Sequence, residues 1–165
     1  MPRSLIAAML LCGLLLAGCG GSDSDSAKKR FVADGDKLCD SLGERFAKLA
    51  ATRVSQSPQE TLKNATSYRS LTRELSTGLE RIERPKGDAE AARLVRLAAR
   101  LTSVARRQKI TAQRIIQAID KRDPGAVRRR AAAFNRVARN EQIKVATQFD
   151  RGMSAYGFKN CGRST

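Results

Sequence analysis

Apolar residues recur at three- and four-residue steps through four long stretches, a spacing that puts them on one face of a helix. The first stretch covers residues 28–52, and the third and longest covers residues 89–121. Residues 57–60, Ser-Pro-Gln-Glu, open the second stretch as a capping box, and Asp123 with Pro124 opens the fourth. Because no stretch alternates apolar and polar residues, the pattern predicts an all-α, up-down-up-down four-helix bundle.

Proline and glycine mark the expected helix ends. Pro85 and Gly87 end the second stretch, since a proline disfavours helical geometry in the residue before it. Gly152 and Gly157 are expected to break the fourth helix. A short tail then leads to Cys161.

Residues 1–18 have the composition of a secretory signal. Arg3 precedes an apolar run over residues 5–16, and small residues precede Cys19. The run is too short to span the roughly 30 Å hydrocarbon layer of a bilayer. Residues 16–19, Leu-Ala-Gly-Cys, resemble the bacterial lipobox, whose cysteine is lipidated on its thiol and becomes the new N-terminus. The resemblance implies a diacylglyceryl anchor on Cys19 and a place on the extracytoplasmic face of the cell membrane.

The segment that follows the lipobox is polar and small. Residues 19–27 combine the lipidated cysteine with glycine, serine and aspartate, which predicts a flexible tether. Residues 28–165 are then expected to form the bundle, and their number suits one compact domain.

The four cysteines have different expected fates. Cys12 leaves with the signal peptide and Cys19 carries lipid, so that Cys39 and Cys161 remain. Export places this pair in an oxidising compartment, where two remaining cysteines usually form a disulfide. Two free thiols or an intermolecular link are the alternatives. A disulfide over so long a loop would stabilise the fold by roughly 5 kcal/mol in the chain-entropy model.

Several kinds of catalytic and cofactor chemistry lack their residues. The chain contains no histidine, so it lacks the commonest general base and the Glu-x-x-His ligands of di-iron bundles. Residues 26–29 match Ser-x-x-Lys, but neither Ser-Asp-Asn nor Lys-Thr-Gly follows. Asp34, Asp36 and Asp40 lie outside any EF-hand pattern and are interpreted as exposed charges. The sequence therefore predicts a non-catalytic protein with no metal site and no cofactor.

Positive charge is concentrated in the second half of the chain. The net charge is +16, and residues 88–151 contain 16 basic and 6 acidic residues. In the third predicted helix one basic residue recurs at every seventh position, which keeps the set on one slowly drifting line. This basic stripe consists of Arg93, Arg100, Arg107, Arg114 and Lys121. Its length of about 40 Å suits an extended polyanion.

Two interpretations of the basic stripe stay open. Arginine's planar fork suits bidentate binding of phosphate or carboxylate, which favours an anionic partner. Alternatively, the side chains cover the helix seam with their methylenes and pair with acids on a neighbouring helix. Aromatic residues are not interleaved with the stripe, so base stacking gains no support and no specific nucleic acid is expected.

The two ends of the domain resemble those of a broad group of proteins. Residues 16–19, 31–39 and 156–161 are similar to the lipobox and domain ends of small helical lipoproteins exported by high-GC Gram-positive bacteria. The resemblance implies location and fold and transfers no activity.

We therefore expect a membrane-anchored, non-catalytic envelope lipoprotein. It would bind or scaffold an anionic partner through a basic face on helices three and four. Candidate partners are anionic lipid, a phosphate-bearing wall polymer or an acidic protein. The alternative is a bundle that binds a small molecule in an interhelical pocket.

Overall fold

The structure, a computed structural model, describes residues 21–52 and 57–161. The proposed signal peptide and the proposed lipidation site, Cys19, lie outside the described residues. The helices are α1 (Gly21–Ala51), α2 (Pro58–Arg81), α3 (Ala89–Asp120), α4 (Pro124–Arg136), a π-helical segment (Val137–Gln142) and α5 (Ile143–Tyr156). Within the described ranges there is no β-strand.

The last three of these elements form one continuous rod. Arg136, Val137, Gln142 and Ile143 all keep right-handed helical backbone angles across the two junctions. We call residues 124–156 the fourth rod. With α1, α2 and α3 it completes the predicted four-helix bundle, so the predicted fold class is confirmed.

Hydrogen bonds across the bundle show how neighbouring helices are aligned. The Thr102 hydroxyl of α3 donates to the carbonyl oxygen of Thr72 on α2 at 2.8 Å. The Gln108 side-chain amide donates to the Gln142 side-chain oxygen of the fourth rod at 2.5 Å. The turns before α3 and before α4 are short, so each helix runs antiparallel to the one before it.

Side-chain caps fix the helix starts that the sequence indicates. The Glu60 amide donates to the Ser57 hydroxyl at 3.2 Å, and the Ser57 amide donates to the Glu60 carboxylate at 2.8 Å. Asp88 caps α3 and Asp123 caps α4 in the same way, by accepting from backbone amides of the first turn. Each cap satisfies amides that have no partner within the helix, and is worth about 1 kcal/mol.

α1 begins at Gly21, well before the predicted start near Lys28. The prediction of a flexible tether is therefore wrong for residues 21–27, which are helical. Asp23 lies in the first turn, where its negative charge interacts favourably with the helix dipole. The Ser26 hydroxyl donates to the Asp23 carbonyl oxygen at 3.0 Å, within the helix.

Gly152 does not break the fourth rod, contrary to the prediction. The helix continues through it to Tyr156, and a Cβ at Gly152 would lie 2.7 Å from Cδ2 of Leu94. The glycine therefore permits close packing of α5 on α3. Gly157 does end the helix, with a φ of 115° that favours glycine, and its amide donates to the Met153 carbonyl oxygen.

The backbone of α1 comes close to only one neighbouring helix. Among the described helices, α2 alone comes within 8 Å of α1 between Cα atoms. Gly78 makes this approach possible, since a Cβ there would lie 2.5 Å from Cδ2 of Leu38. At the exposed edge, Arg45 pairs with Glu74 at 2.8 Å.

The C-terminal tail ties α1 to the rest of the bundle. Cys39 and Cys161 form a disulfide with a Cα–Cα distance of 5.2 Å, so the predicted pairing is confirmed. The Asp36 carboxylate accepts hydrogen bonds from the amides of Lys159 at 3.0 Å, Asn160 at 2.8 Å and Cys161 at 3.3 Å. The tail therefore links α1 to the end of the fourth rod, where Phe31 of α1 also packs on Tyr156 with ring centroids 5.8 Å apart.

Removing the disulfide should destabilise the bundle strongly. We expect the double variant Cys39→Ser, Cys161→Ser to lose about 2–5 kcal/mol of unfolding free energy, because the unfolded chain regains the freedom of a long loop. Urea titration followed by circular dichroism measures the loss. Reductant should lower the midpoint of the wild type and leave that of the double variant unchanged. Equal unfolding midpoints of the wild type and the double variant in the absence of reductant would contradict this prediction.

Candidate functional site

All five residues of the basic stripe are exposed, four of them on α3 and Lys121 directly after its last residue. Two of them have acidic partners: Arg93 pairs with Glu90 of the same helix, and Arg107 pairs with Glu141 of the π-helical segment. Arg107 thus behaves as the seam-covering interpretation requires. Exposed ion pairs of this kind contribute about 0–1 kcal/mol, so both arginines can exchange their partner at small cost.

The other three residues of the stripe remain open to solvent. In the part of the chain that the structure describes, Arg100, Arg114 and Lys121 have no carboxylate within 4.0 Å. They span 21 positions of α3, about 30 Å of helix at 1.5 Å per residue. The structure therefore divides the stripe into two paired and three unpaired cations.

The fourth rod adds positive charge to the same helical hairpin. Its exposed arginines are Arg128, Arg129, Arg130, Arg136 and Arg139. We call these residues together with the basic stripe the basic face. Like-signed charges at this density raise the local concentration of anions near the surface.

One end of the bundle is fixed by a buried tyrosine. The Tyr156 hydroxyl donates to Asp88 Oδ2 at 2.5 Å, and Lys28 Nζ lies 4.5 Å from the centre of the Tyr156 ring. The N-terminal part of α1, the start of α3 and the end of α5 therefore meet at one end, which we call the α1-start end. The basic stripe begins there with Arg93 and continues to the opposite end.

This contact shifts the protonation of both partners. Burial tends to raise the pKa of Asp88, but hydrogen bonds from Tyr156 and from the amides of Ala91 and Glu90 outweigh it, and nearby Lys28 adds to their effect. The pKa of Asp88 is therefore lowered. Burial and the bond to Asp88 raise the pKa of Tyr156 well above its ordinary value. Asp88 is charged and Tyr156 neutral across the physiological range.

The acidic residues of α1 hold the tail in addition to carrying exposed charge. Asp34 pairs with Lys37 at 2.9 Å, as expected of a solvated side chain. Asp36 binds the tail amides, and Asp40 accepts from the Asn160 side chain at 2.9 Å. The spacing of these aspartates around Cys39 is a signal that sequence reasoning missed. Within residues 21–52 and 57–161 no cluster of possible metal ligands forms.

A groove runs between α1 and the fourth rod, on the side where these helices do not pack together. It contains two adjoining cavities. The disulfide-end cavity has a volume of about 470 Å³, and the second, which we call the amide cavity, has a volume of about 530 Å³. Tyr68, Gln142 and Ile143 line both. Each volume falls within the roughly 300–1,000 Å³ typical of small-molecule sites.

The two cavities differ in chemistry. Apolar side chains of α1, α2 and α5 form most of the disulfide-end cavity, among them Leu42, Phe46 and Phe149. The amide cavity contains Asn64, Gln108, Asn135 and Gln142, with Arg139 beside them. The sequence suggested an interhelical pocket as an alternative site but gave none of these residues.

Compared with known protein families, with curated proteins and with solved structures, the chain matches none. Among the described residues, no helix has the length and apolar character needed to cross a bilayer.

The bond between Tyr156 and Asp88 should give stability a defined pH dependence. Because the pKa of Asp88 is lower in the folded protein, its charge stabilises the fold above pH 3.8. This contribution is lost as the pH falls through the pKa that Asp88 has in the folded state. Because the pKa of Tyr156 is higher in the folded protein, its neutral form stabilises the fold below pH 10.0. This contribution is lost as the pH rises through the raised pKa. Between these limits Tyr156→Phe should cost about 1–3 kcal/mol.

Chemical unfolding of wild type and Tyr156→Phe across pH measures this difference. It should shrink towards strongly acid and strongly alkaline pH. In an Asp88→Asn background the acid limb should disappear, since the amide does not titrate. A difference that stays constant from neutral to strongly acid pH would contradict the assignment.

Proposed function

We propose that this protein is a lipid-anchored, non-catalytic module on the extracytoplasmic face of the cell membrane, where its basic face holds an anionic partner. The observation that carries the proposal is the row of exposed cations along α3, three of which have no acidic partner among the described residues. Anchoring would come from the lipid on Cys19, since two acyl chains suffice for stable attachment.

Among anionic partners, the geometry favours an extended phosphate polymer of the envelope over the bilayer surface. α1 starts at the same end of the bundle as Arg93, and Lys121 lies at the opposite end, about 40 Å along α3. A bundle standing on its N-terminal anchor would thus direct the stripe away from the membrane. A polymer rising from the surface could follow it over the whole length.

The absence of histidine from the chain supports a binding function over a catalytic one. Histidine is the side chain most often used in acid–base catalysis. Among the described carboxylates, Asp88 caps α3, Asp36 holds the tail and Glu141 pairs with Arg107. The arginine guanidinium has paired N–H donors that can bind a phosphate group through two parallel hydrogen bonds, and no reaction is required.

Removing the three unpaired cations tests the proposal. Each basic group contributes about 1 kcal/mol near an anionic surface. Arg100→Ala, Arg114→Ala, Lys121→Ala together should therefore weaken binding of a poly(glycerol phosphate) chain roughly hundredfold. Calorimetric titration at low salt measures the affinity, which should fall for the wild type as the salt concentration rises.

A matched control removes three exposed cations elsewhere. Lys63→Ala, Arg73→Ala, Arg81→Ala together change the net charge equally, but all three lie on α2. We expect this control to lose much less affinity than the stripe variant. Equal losses would reduce the effect to net charge, and salt-independent binding would overturn the electrostatic proposal. Tighter binding to phosphatidylglycerol vesicles than to the polymer would assign the face to the bilayer.

A further inference from the structure

Gly43 of α1 stands apart from the other glycines within the bundle's helices. Gly35, Gly78 and Gly152 each make room for a side chain that packs directly on the backbone: Phe158, Leu38 and Leu94. A Cβ built on Gly43 would meet nothing within 4 Å. A glycine inside a helix costs stability relative to alanine, and no packing contact at Gly43 accounts for that cost.

The space beside Gly43 is the disulfide-end cavity. Gly43, Ala47 and Ala50 present only small groups from α1, while Leu42 and Phe46 form apolar walls beside them. From Cys39 to Leu49 the groove follows α1 for about 15 Å, at 1.5 Å per residue. It is open to solvent along one side and closed at one end by the disulfide.

An apolar side chain lies exposed at the rim where the two cavities meet. Ile143 is 59% exposed, although it lies in the middle of the fourth rod. It follows directly on the π-helical segment, a distortion found often at functional sites. A molecule lying in the groove would remove Ile143 from water.

Charge distinguishes the two ends of the groove. The disulfide-end cavity includes the acidic Asp150, whereas the amide cavity includes Arg139 and the side-chain amides of Asn135 and Gln142. An anionic head group would therefore lie in the amide cavity, with an apolar chain directed towards the disulfide. The volumes suit one such chain and are too small for a further helix.

We propose that the groove binds an anionic amphiphile with a single hydrocarbon chain. The chain lies beside Gly43 in the disulfide-end cavity, and the head group accepts hydrogen bonds from Arg139 and its neighbouring amides. This site uses none of the residues of the basic stripe and shares only Arg139 with the basic face.

Uptake of the fluorescent fatty acid cis-parinaric acid tests the site. The experiment uses the full chain carrying Cys19→Ser, so that no attached lipid competes. The wild-type groove should raise the fluorescence, and dodecanoate should displace the probe better than the uncharged dodecanol. No uptake overturns the proposal, and equal displacement by dodecanoate and dodecanol overturns the anionic head group.

Two substitutions at Gly43 separate filling of the groove from stability of the helix. Gly43→Leu has free space for its Cβ, so its side chain should extend into the cavity and weaken probe binding about tenfold or more. Gly43→Ala gains the same kind of helix stability, adds one methyl group and should bind almost as the wild type does. The unfolding midpoint of both variants should equal or exceed that of the wild type. A stable Gly43→Leu variant that still binds tightly would overturn the site.

Arg139→Gln tests the head group, with Arg106→Gln as its control because Arg106 lines neither cavity. We expect Arg139→Gln to weaken dodecanoate binding about tenfold and to leave dodecanol unchanged, since only a charged head requires the guanidinium. Equal effects of the two variants would overturn this placement. The variant lacking Arg100, Arg114 and Lys121 should keep full uptake. Loss of uptake there would assign the fatty acid to the basic stripe and overturn the groove site.

Discussion

The attachment of the C-terminal tail to α1 is the constraint on which the arrangement of the bundle depends. Among the described helices the backbone of α1 comes close only to α2, so one side of the bundle is joined through the tail and through the contacts of Lys28 and Phe31 with Tyr156. The Cys39–Cys161 disulfide and the amides bound to Asp36 supply that joint at one end. From Cys39 to Leu49, α1 and the fourth rod stay apart, and the groove occupies the space between them.

Local signals in the sequence were sufficient for the helices and most of their ends. Capping residues such as Ser57 and Asp123 act within one turn, so their effect does not depend on tertiary contacts. The disulfide also followed from counting cysteines. Gly152 shows where local reasoning failed, because a glycine in a helix can either end it or admit a neighbour. Only the position of Leu94 in space distinguishes the two outcomes.

The two candidate sites were also predictable to different extents, because local spacing is visible in the sequence and the positions of distant residues in space are not. The stripe follows from seven-residue spacing, and the pair of Arg93 with Glu90 is local to one helix turn, but the partner of Arg107 depends on where Glu141 lies in space. The groove had no sequence signature, since its existence depends on two helices that fail to meet. Gly43 lies beside the groove, but only the contacts of Gly35, Gly78 and Gly152 in the folded protein distinguish it from them.

If Cys19 carries the proposed lipid anchor, the early start of α1 has a mechanical consequence. From Gly21 to the buried Phe31 the chain is helical over about 15 Å, so this segment does not act as a flexible linker. A helix between the anchor and the bundle would hold the domain at a nearly constant distance from the bilayer and restrict its motion to rotation and tilting about the anchor. Its angle to the bilayer would then be set by the first helical turns, so that a helix-breaking substitution near Asp25 would change its orientation while every contact inside the bundle survived.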